Sequence, residues 1–187
     1  MNRTLYATFI VVLLYGFGRA QSAESISPPD SVCWPLHFSG IIVGISTDPQ
    51  VQRLLGEGVF RKDEGDTGGR YFTNSQGTAT LHTVSYTDRV VGELTVSAGI
   101  DPAIAPNERK LAATKWFSPE EGFGNWHALR LGSSKGEVLK NLGAPKEKVT
   151  ANQWRYDTIC ACELPVYFTI FFKDGRVIKV VFSAPAG

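Results

Sequence analysis

The stretch LGSSKGEVLKNLGAP, residues 131–145, predicts a short helix with both ends marked. Ser134 and Glu137 have the spacing of a capping box, in which each side chain accepts a hydrogen bond from a free backbone amide of the first turn. Gly143 and Pro145 favour an end to the helix, because glycine suits the C-terminal cap and proline cannot continue the helix. The apolar residues between these ends are expected to form a buried stripe: Val138, Leu139 and Leu142.

Beyond this helix the spacing of apolar residues changes from helical to alternating, which indicates β-strands. Three short runs rich in aromatic and β-branched residues follow: 154–156, 166–172 and 177–182. Between the last two runs, the sequence KDGR at 173–176 carries the Asp-Gly pair that is typical of a tight hairpin turn. The C-terminal part of the chain therefore predicts a helix followed by three antiparallel strands.

A similar order occurs upstream, so residues 44–97 are interpreted as an earlier copy of residues 131–183. Asp48-Pro49 is expected to cap and begin a helix that Gly56 ends. The stripe and strands of this copy are expected at Val51, Leu54 and Leu55, then at 69–73, 80–86 and 90–97. The predicted fold class is α+β, as two tandem repeats, each a helix followed by a three- to four-stranded antiparallel sheet.

The order of motifs from residue 131 onward resembles the β-lactamase-inhibitor-like fold, which is shared with small outer-membrane assembly lipoproteins. The resemblance rests on 132–138, 142–145, 154–156 and the hairpin at 168–182. The tandem copy resembles the doubled arrangement of the secreted β-lactamase inhibitory proteins, whose paired sheets form a concave surface that binds a partner. The resemblance implies the same α+β fold and a role in binding.

The first residues predict a cleavable secretory signal peptide. Arg3 supplies a positive charge, residues 5–15 supply a short apolar core, and 20–22 (AQS) supply the small residues that signal peptidase needs. The apolar run is shorter than the roughly 20 residues of a membrane-spanning helix. We therefore expect a secreted or periplasmic protein without an integral membrane segment after cleavage.

The expected organisation follows from the signal peptide and the two copies. It is a signal peptide at 1–22, a first repeat at 23–98, a connector at 99–130, and a second repeat at 131–187. In the connector, Ser118-Pro119-Glu120-Glu121 is expected to start a short helix. Two tryptophans of the connector are expected to pack against the second repeat: Trp116 and Trp126.

The charge balance disfavours two classes of partner. Cleavage removes Arg3 and Arg19 from 19 basic residues and leaves all 18 acidic ones, so the mature net charge is 17 − 18 = −1. A nearly neutral chain without a basic run offers little electrostatic attraction to nucleic acid or to an anionic membrane surface. A protein partner is the expectation that remains.

Cys33, Cys160 and Cys162 are the disulfide candidates, because disulfides persist in exported proteins. One bond is expected between Cys33 and either Cys160 or Cys162, which leaves one thiol over. The alternative function is a thiol redox or hydrolytic enzyme that uses Cys160 and Cys162. A metal site is disfavoured, since two close thiols without a second pair or a spaced histidine pair are a weak metal pattern. No cofactor is expected.

The other polar residues do not indicate an enzyme. His37, His82 and His127 lie in unlike contexts, and no catalytic motif stands out. His82 is expected to be a core histidine, because the copies align it with Phe168, and the same alignment places residues 70–71 on 155–156. The acidic stretch KDEGDTGGR at 62–70 lacks the ligand spacing of an EF-hand loop and is typical of a solvated turn.

Alternation along the last two strands predicts one buried and one outward face. The inward residues are Phe168, Ile170, Phe172, Ile178, Val180 and Phe182, and the outward ones are Tyr167, Thr169, Phe171, Lys179 and Val181. Tyr167, Phe171 and Val181, with Arg155 and Lys179 around them, have the composition of a partner interface, that is, aromatic anchors with a charged rim. The alternative is that this face packs against the other repeat or the connector.

The corresponding face of the first copy is expected to be mostly polar, with Thr83, Ser85, Glu93 and Thr95 beside Leu81. The functional hypothesis is an exported, non-catalytic binding or envelope-associated module that engages a protein partner through its sheet faces.

Overall fold

The computed structural model describes residues 37–62, 68–86, 89–114, 129–159 and 165–184. Three short α-helices lie within these ranges: α1 (Asp48–Leu55), α2 (Arg109–Ala112), which follows a 3-10 turn at Pro106–Glu108, and α3 (Lys135–Leu142). The strands are β1 (His37–Phe38), β2 (Ile41–Ile42), β3 (Val59–Lys62), β4 (Gly68–Asn74), β5 (Ala79–Ser85), β6 (Val91–Ala98), β7 (Ala113–Thr114), β8 (Glu147–Thr150), β9 (Gln153–Ile159), β10 (Pro165–Lys173) and β11 (Arg176–Ser183).

Nine of these strands form one sheet, while β1 and β2 pair as a separate hairpin. The sheet order is β3-β4-β5-β6-β11-β10-β9-β8, each neighbouring pair is antiparallel, and β7 pairs in parallel with the end of β4. The upstream and downstream strands meet where β6 pairs with β11, from Lys179 opposite Ser97 to Ser183 opposite Glu93.

The predicted fold class, two tandem repeats with a sheet each, is therefore wrong. The chain builds one large, mostly antiparallel sheet. Two of the cross-strand pairs at the β6–β11 junction are fully buried and apolar: Val96 with Val180, and Leu94 with Phe182. Pairing β6 with β11 buries these side chains and removes two exposed strand edges, which explains why separate sheets do not form.

The main core lies on the face of the sheet that α1 and α3 cover, here called the helix-side face. Val51 of α1 and Val138 of α3 belong to the same cluster of buried side chains as Phe72, Leu94 and Phe168. Burying each such side chain contributes about 1.5–3 kcal/mol. The opposite side of the sheet is called the outer face.

Tyr156 connects the core to the end of α3. Its ring stacks on Phe168 at a centroid distance of 4.9 Å, and its hydroxyl donates to the carbonyl oxygen of Gly143 at 3.3 Å. Burial raises the pKa of Tyr156 to about 12. The hydroxyl therefore stays protonated and remains a donor at every pH the protein is expected to meet.

The two longer helices begin in the same way. Asp48 N–H donates to Arg89 O at 3.0 Å, and Lys135 N–H donates to Gly175 O at 3.0 Å. Arg89 (φ 66°) and Gly175 (φ 74°) both have left-handed backbone conformations. The turn before β6 thus accepts a hydrogen bond from the start of α1, and the turn before β11 accepts the equivalent bond from the start of α3. This likeness between the upstream and downstream parts of the chain exists although their strands form one sheet.

The predicted capping box of α3 is confirmed. Ser134 Oγ accepts from Glu137 N–H at 3.2 Å, and Glu137 Oε2 accepts from Ser134 N–H at 2.6 Å. In α1 the N-cap is Thr47, whose N–H donates to Gln50 Oε1 at 2.8 Å. The expectation that Asp48 caps this helix is wrong, because Asp48 is its first residue.

The capping box predicts a pH-dependent contribution of Glu137. The hydrogen bonds from Ser134 lower the pKa of the Glu137 carboxyl below its ordinary value. A carboxyl whose pKa is lowered by folding stabilises the fold at any pH above its ordinary, unfolded-state pKa. This stabilisation is lost as the pH falls through the folded-state pKa. In thermal melts, Glu137→Ala should therefore lower Tm at pH 7, and the difference from wild type should shrink at pH 3. The exposed Glu57→Ala is the control, and a gap that does not change with pH would contradict the prediction.

Two of the expected stripe residues are exposed, and a third, Leu142, is only partly buried. Leu54 is 41% exposed and Leu139 is 39% exposed, whereas Val51, Leu55 and Val138 are buried. Successive residues are rotated by about 100° around a helix, so Leu139 points away from the sheet that Val138 contacts. Each helix has eight residues and a narrower apolar face than predicted.

A β-bulge corrects the expected facing of β11. Phe171 pairs with Lys179 but Phe172 pairs with Val177, so Ile178 is the extra residue of the bulge. Val177 takes the buried position, and Ile178 is 36% exposed. The prediction that Ile178 packs inward is wrong, because regular alternation does not continue through a bulge. The other residues predicted to face inward are buried: Phe168, Ile170, Phe172, Val180 and Phe182.

The expected facing of β5 is also wrong, by one residue. Leu81 is completely buried on the helix-side face, where it lies between Phe72 and Val96, and His82 lies on the outer face. A shift of one residue in a strand exchanges its two faces, and the alignment of the copies contained such a shift. For the same reason Arg70 faces the helices, whereas Arg155, with which it was aligned, faces outward.

Candidate functional site

The register of the sheet arranges the outer face in rows that cross the strands. The central row is Arg155, Thr169, Val181, Thr95, His82, Tyr71 and Val59. The row on one side is Asp157, Tyr167, Ser183, Glu93 and Val84. The row on the other side is Gln153, Phe171, Lys179, Ser97 and Thr80.

One end of the outer face is covered by the segment 100–114. Ile104 and Ala112 of this segment are buried against Val59 of β3, with Tyr71 packed beside them. Strand β5 also contacts this segment, because Asp101 N–H donates to Thr80 Oγ1 at 2.9 Å. The β3–β5 end of the face is therefore part of the structural core.

An ion pair holds this segment in place. Arg61 Nη2 donates to Ala103 O at 2.8 Å and to the carboxylate of Glu108. The Arg61 guanidinium, followed by the amide of Ala105, holds the pKa of the Glu108 carboxyl below its ordinary value. Both partners are partly exposed, so the pair positions the segment more than it stabilises the fold.

The five predicted binding residues lie together on the rest of the outer face. Tyr167 and Phe171 are on β10, Lys179 and Val181 are on β11, and Arg155 is on β9. We call this set the aromatic patch. Tyr167 is 38% exposed, and Phe171 and Val181 are partly exposed. The first half of the sheet continues beside the aromatic patch and does not lie over it.

Charged groups surround the apolar side chains of the aromatic patch. Lys179 Nζ lies 5.4 Å from the centre of the Phe171 ring, within the range of a cation–π contact. Arg155 Nη1 pairs with Glu147 Oε2 at 3.2 Å, and Lys146 pairs with the carboxylate of Asp157. These groups form a polar rim around the apolar centre.

The comparisons with known proteins do not assign a family. The chain matches no protein-family model and no curated protein sequence. Among solved structures it is similar to the crystal structure of a DUF4309 family protein (YjgB) from Bacillus subtilis, with 16% identity and a TM-score of 0.47, over 81% of this chain and 88% of that chain. A likeness at this level assigns neither fold nor function, and the resemblance to the β-lactamase-inhibitor-like fold stays a prediction.

His82 was predicted on the wrong face of the sheet, and Glu93 was predicted correctly on the outer face but not beside the aromatic patch. His82 stacks on Tyr71 with ring centroids 3.9 Å apart and planes 9° apart. Glu93, expected among ordinary polar residues, lies in the same row as Tyr167, separated from it by Ser183. The alternation along β5 could have placed the histidine correctly, because the apolar residues Ala79 and Leu81 share one face of the strand and His82 lies on the other.

Several predicted features lie outside the described residues. They are the disulfide candidates Cys33, Cys160 and Cys162, the acidic residues Asp63, Glu64 and Asp66, the histidine His127, the tryptophans Trp116 and Trp126, and the helix start at 118–121. Within the described ranges, no group of three or more His, Cys, Asp or Glu side chains is placed to hold a metal ion. None of the helices in these ranges is long and apolar enough to cross a membrane.

Proposed function

We propose that the protein is an exported, non-catalytic binding module that engages a protein partner through the aromatic patch. The observation that supports this proposal is the convergence of partly exposed Tyr167 and Phe171 on either side of Val181, with Arg155 and Lys179 at the rim. Aromatic anchors within a polar rim are typical of the residues that contribute most to protein–protein binding.

The aromatic patch lies on a rigid part of the fold. Its residues come from three hydrogen-bonded strands, β9, β10 and β11, and the helix-side residues whose side chains the structure describes on these strands belong to the buried core. A backbone held in a packed sheet loses little conformational freedom on binding, which favours affinity. This arrangement supports recognition of a partner surface without rearrangement of the backbone.

The size of the aromatic patch indicates that it is the centre of a larger interface. Tyr167 and Phe171 are four residues apart, which is about 13 Å along a strand. A stable interface covers about 800 Å² of each partner. The interface is therefore expected to include neighbouring outer-face residues: Thr169, Gln153, Ser183 and Ser97.

The experiment is affinity capture from the envelope and medium of the producing cell, with the purified protein as bait and mass spectrometry as the readout. The test variant is Tyr167→Ser/Phe171→Ser. The matched control is Leu54→Ser/Leu139→Ser, which removes apolar side chains of similar exposure from the helices. A specific partner should bind wild type and control, and its affinity for the test variant should fall by about 100-fold or more.

A second variant separates loss of binding from loss of folding. Thr169→Lys places a charge between the two aromatic residues and keeps both rings, so it should also abolish capture while near-UV circular dichroism stays native. Equal capture of the same protein by wild type, Tyr167→Ser/Phe171→Ser and Thr169→Lys would overturn the proposal.

A further inference from the structure

Two charged side chains of the outer face, Glu93 and Lys179, form no ion pair with any described residue. Glu93 accepts weak hydrogen bonds from Thr95 Oγ1 at 3.3 Å and Ser183 Oγ at 3.5 Å. Lys179 contacts the Phe171 ring. Both residues are partly exposed.

The register fixes how far apart these two charges are. Glu93 is opposite Ser183, and Lys179 is four residues before Ser183 on the same strand. Four residues along a strand and one strand spacing give a separation of about 14 Å between their backbone positions. This exceeds the Debye length of about 8 Å at physiological salt, so Glu93 and Lys179 do not neutralise each other.

A charge that has no opposite charge among the described residues can pair with an opposite charge on a bound partner. The other charges near the aromatic patch differ in this respect, because Arg155 is paired with Glu147 and Asp157 with Lys146. Glu93 and Lys179 are therefore the outer-face charges that are still available to pair with a partner.

We infer that the partner presents a basic side chain to Glu93 and an acidic side chain to Lys179, with an apolar group between them that covers Val181. This inference rests on the proposed function and specifies the chemistry of the partner surface. Opposite charges at the two ends fix one docking orientation, since the reversed orientation places like charges together. The occupant is a protein surface, because one surface has to supply both signs of charge.

The test uses two small probes, arginine amide and N-acetylaspartate, each added separately to the isotope-labelled protein at low salt. Amide chemical shifts report where each probe binds. Arginine amide should shift the amides around Glu93 and Ser183, and N-acetylaspartate should shift those around Lys179 and Phe171. Glu93→Gln should abolish the first set of shifts and keep the second, and Lys179→Gln should do the reverse.

Two further variants complete the design. Glu57→Gln removes an exposed carboxylate elsewhere on the chain and should leave both sets of shifts unchanged. Lys179→Glu should abolish binding of N-acetylaspartate and create a second binding position for arginine amide at that end of the aromatic patch. The Gln variant at Glu93 keeps an acceptor for Thr95 and Ser183, so its spectrum should remain that of the folded protein.

The inference is overturned if either probe still binds at the same place after its own variant, or if both probes shift the same residues. It is also overturned if N-acetylaspartate alone binds locally, because that result indicates a surface for polyanions. None of these outcomes depends on Tyr167 or Phe171, whereas the capture experiment does. The inference and the proposed function can therefore fail separately.

Discussion

Replacing Phe182 with alanine is expected to lower the free energy of unfolding by about 3–5 kcal/mol, the usual cost of truncating a buried phenylalanine. Phe182 is 2% exposed and packs on Phe168 with ring centroids 6.1 Å apart. Its backbone pairs with Leu94 across the β6–β11 junction. The cavity therefore forms where the upstream and downstream strands meet.

Because both halves share this junction, Phe182→Ala should destabilise them together in one cooperative transition. Urea unfolding measured by circular dichroism gives the loss of stability, and hydrogen exchange of amides in β4 and β5 reports on the distant half. Phe60→Ala is the control, since Phe60 is 48% exposed at the sheet edge and should cost about 1 kcal/mol or less. Wild-type protection of β4 and β5 in Phe182→Ala would contradict the prediction of a single unit.

Replacing Arg70 with methionine is expected to cost about 2–3 kcal/mol, because Arg70 anchors α1 to the sheet through charged hydrogen bonds. Its Nε donates to Asp48 Oδ1 at 2.7 Å and its Nη2 to Asp48 Oδ2 at 3.1 Å. Its Nη1 donates to Glu57 O at 2.8 Å. Both side chains of the pair are largely buried, so Asp48 would be left without its counter-charge.

The matched control is Arg155→Met, which breaks the ion pair with Glu147 on the outer face. Both residues of that pair are about half exposed, and the expected cost is below about 1 kcal/mol. Urea unfolding of the two variants measures the contrast, and a double-mutant cycle with Asp48→Asn isolates the Arg70–Asp48 coupling. Equal costs for the two arginines, or a coupling near zero, would contradict the assigned role of Arg70.

Local sequence patterns predicted several features correctly, because the interactions behind them span only a few residues. The Ser134–Glu137 capping box needs a spacing of three, and the turn at Asp174-Gly175 needs two residues that accept left-handed conformations, with φ of 51° and 74°. Alternation along β10 and the regular part of β11 then placed Tyr167 and Phe171 with Lys179 and Val181 on one face.

The remaining errors concern strand pairing, register and bulges, which the alternation of apolar and polar residues along a strand does not predict. A strand shows the same alternation of apolar and polar residues whichever strand it pairs with. The pairing of β6 with β11 could therefore not be predicted from the sequence, and the predicted fold class was wrong. The facing of His82 depended on a register that one slipped residue reverses, and the exposure of Ile178 depended on a bulge. The burial of Tyr71 depended on the packing of segment 100–114 against the outer face, which alternation along a strand does not predict.

The sequence by itself determined both ends of α3, the turn between β10 and β11, and which residues of the second half share the aromatic patch. The tertiary structure decided that all the main strands join one sheet, which brings Glu93 of the first half beside Ser183 of the second. The physical reason is the range of the interactions. Caps, turns and alternation are set by neighbouring residues, whereas a junction between residues 90 positions apart is set by the apolar area that both strands bury together.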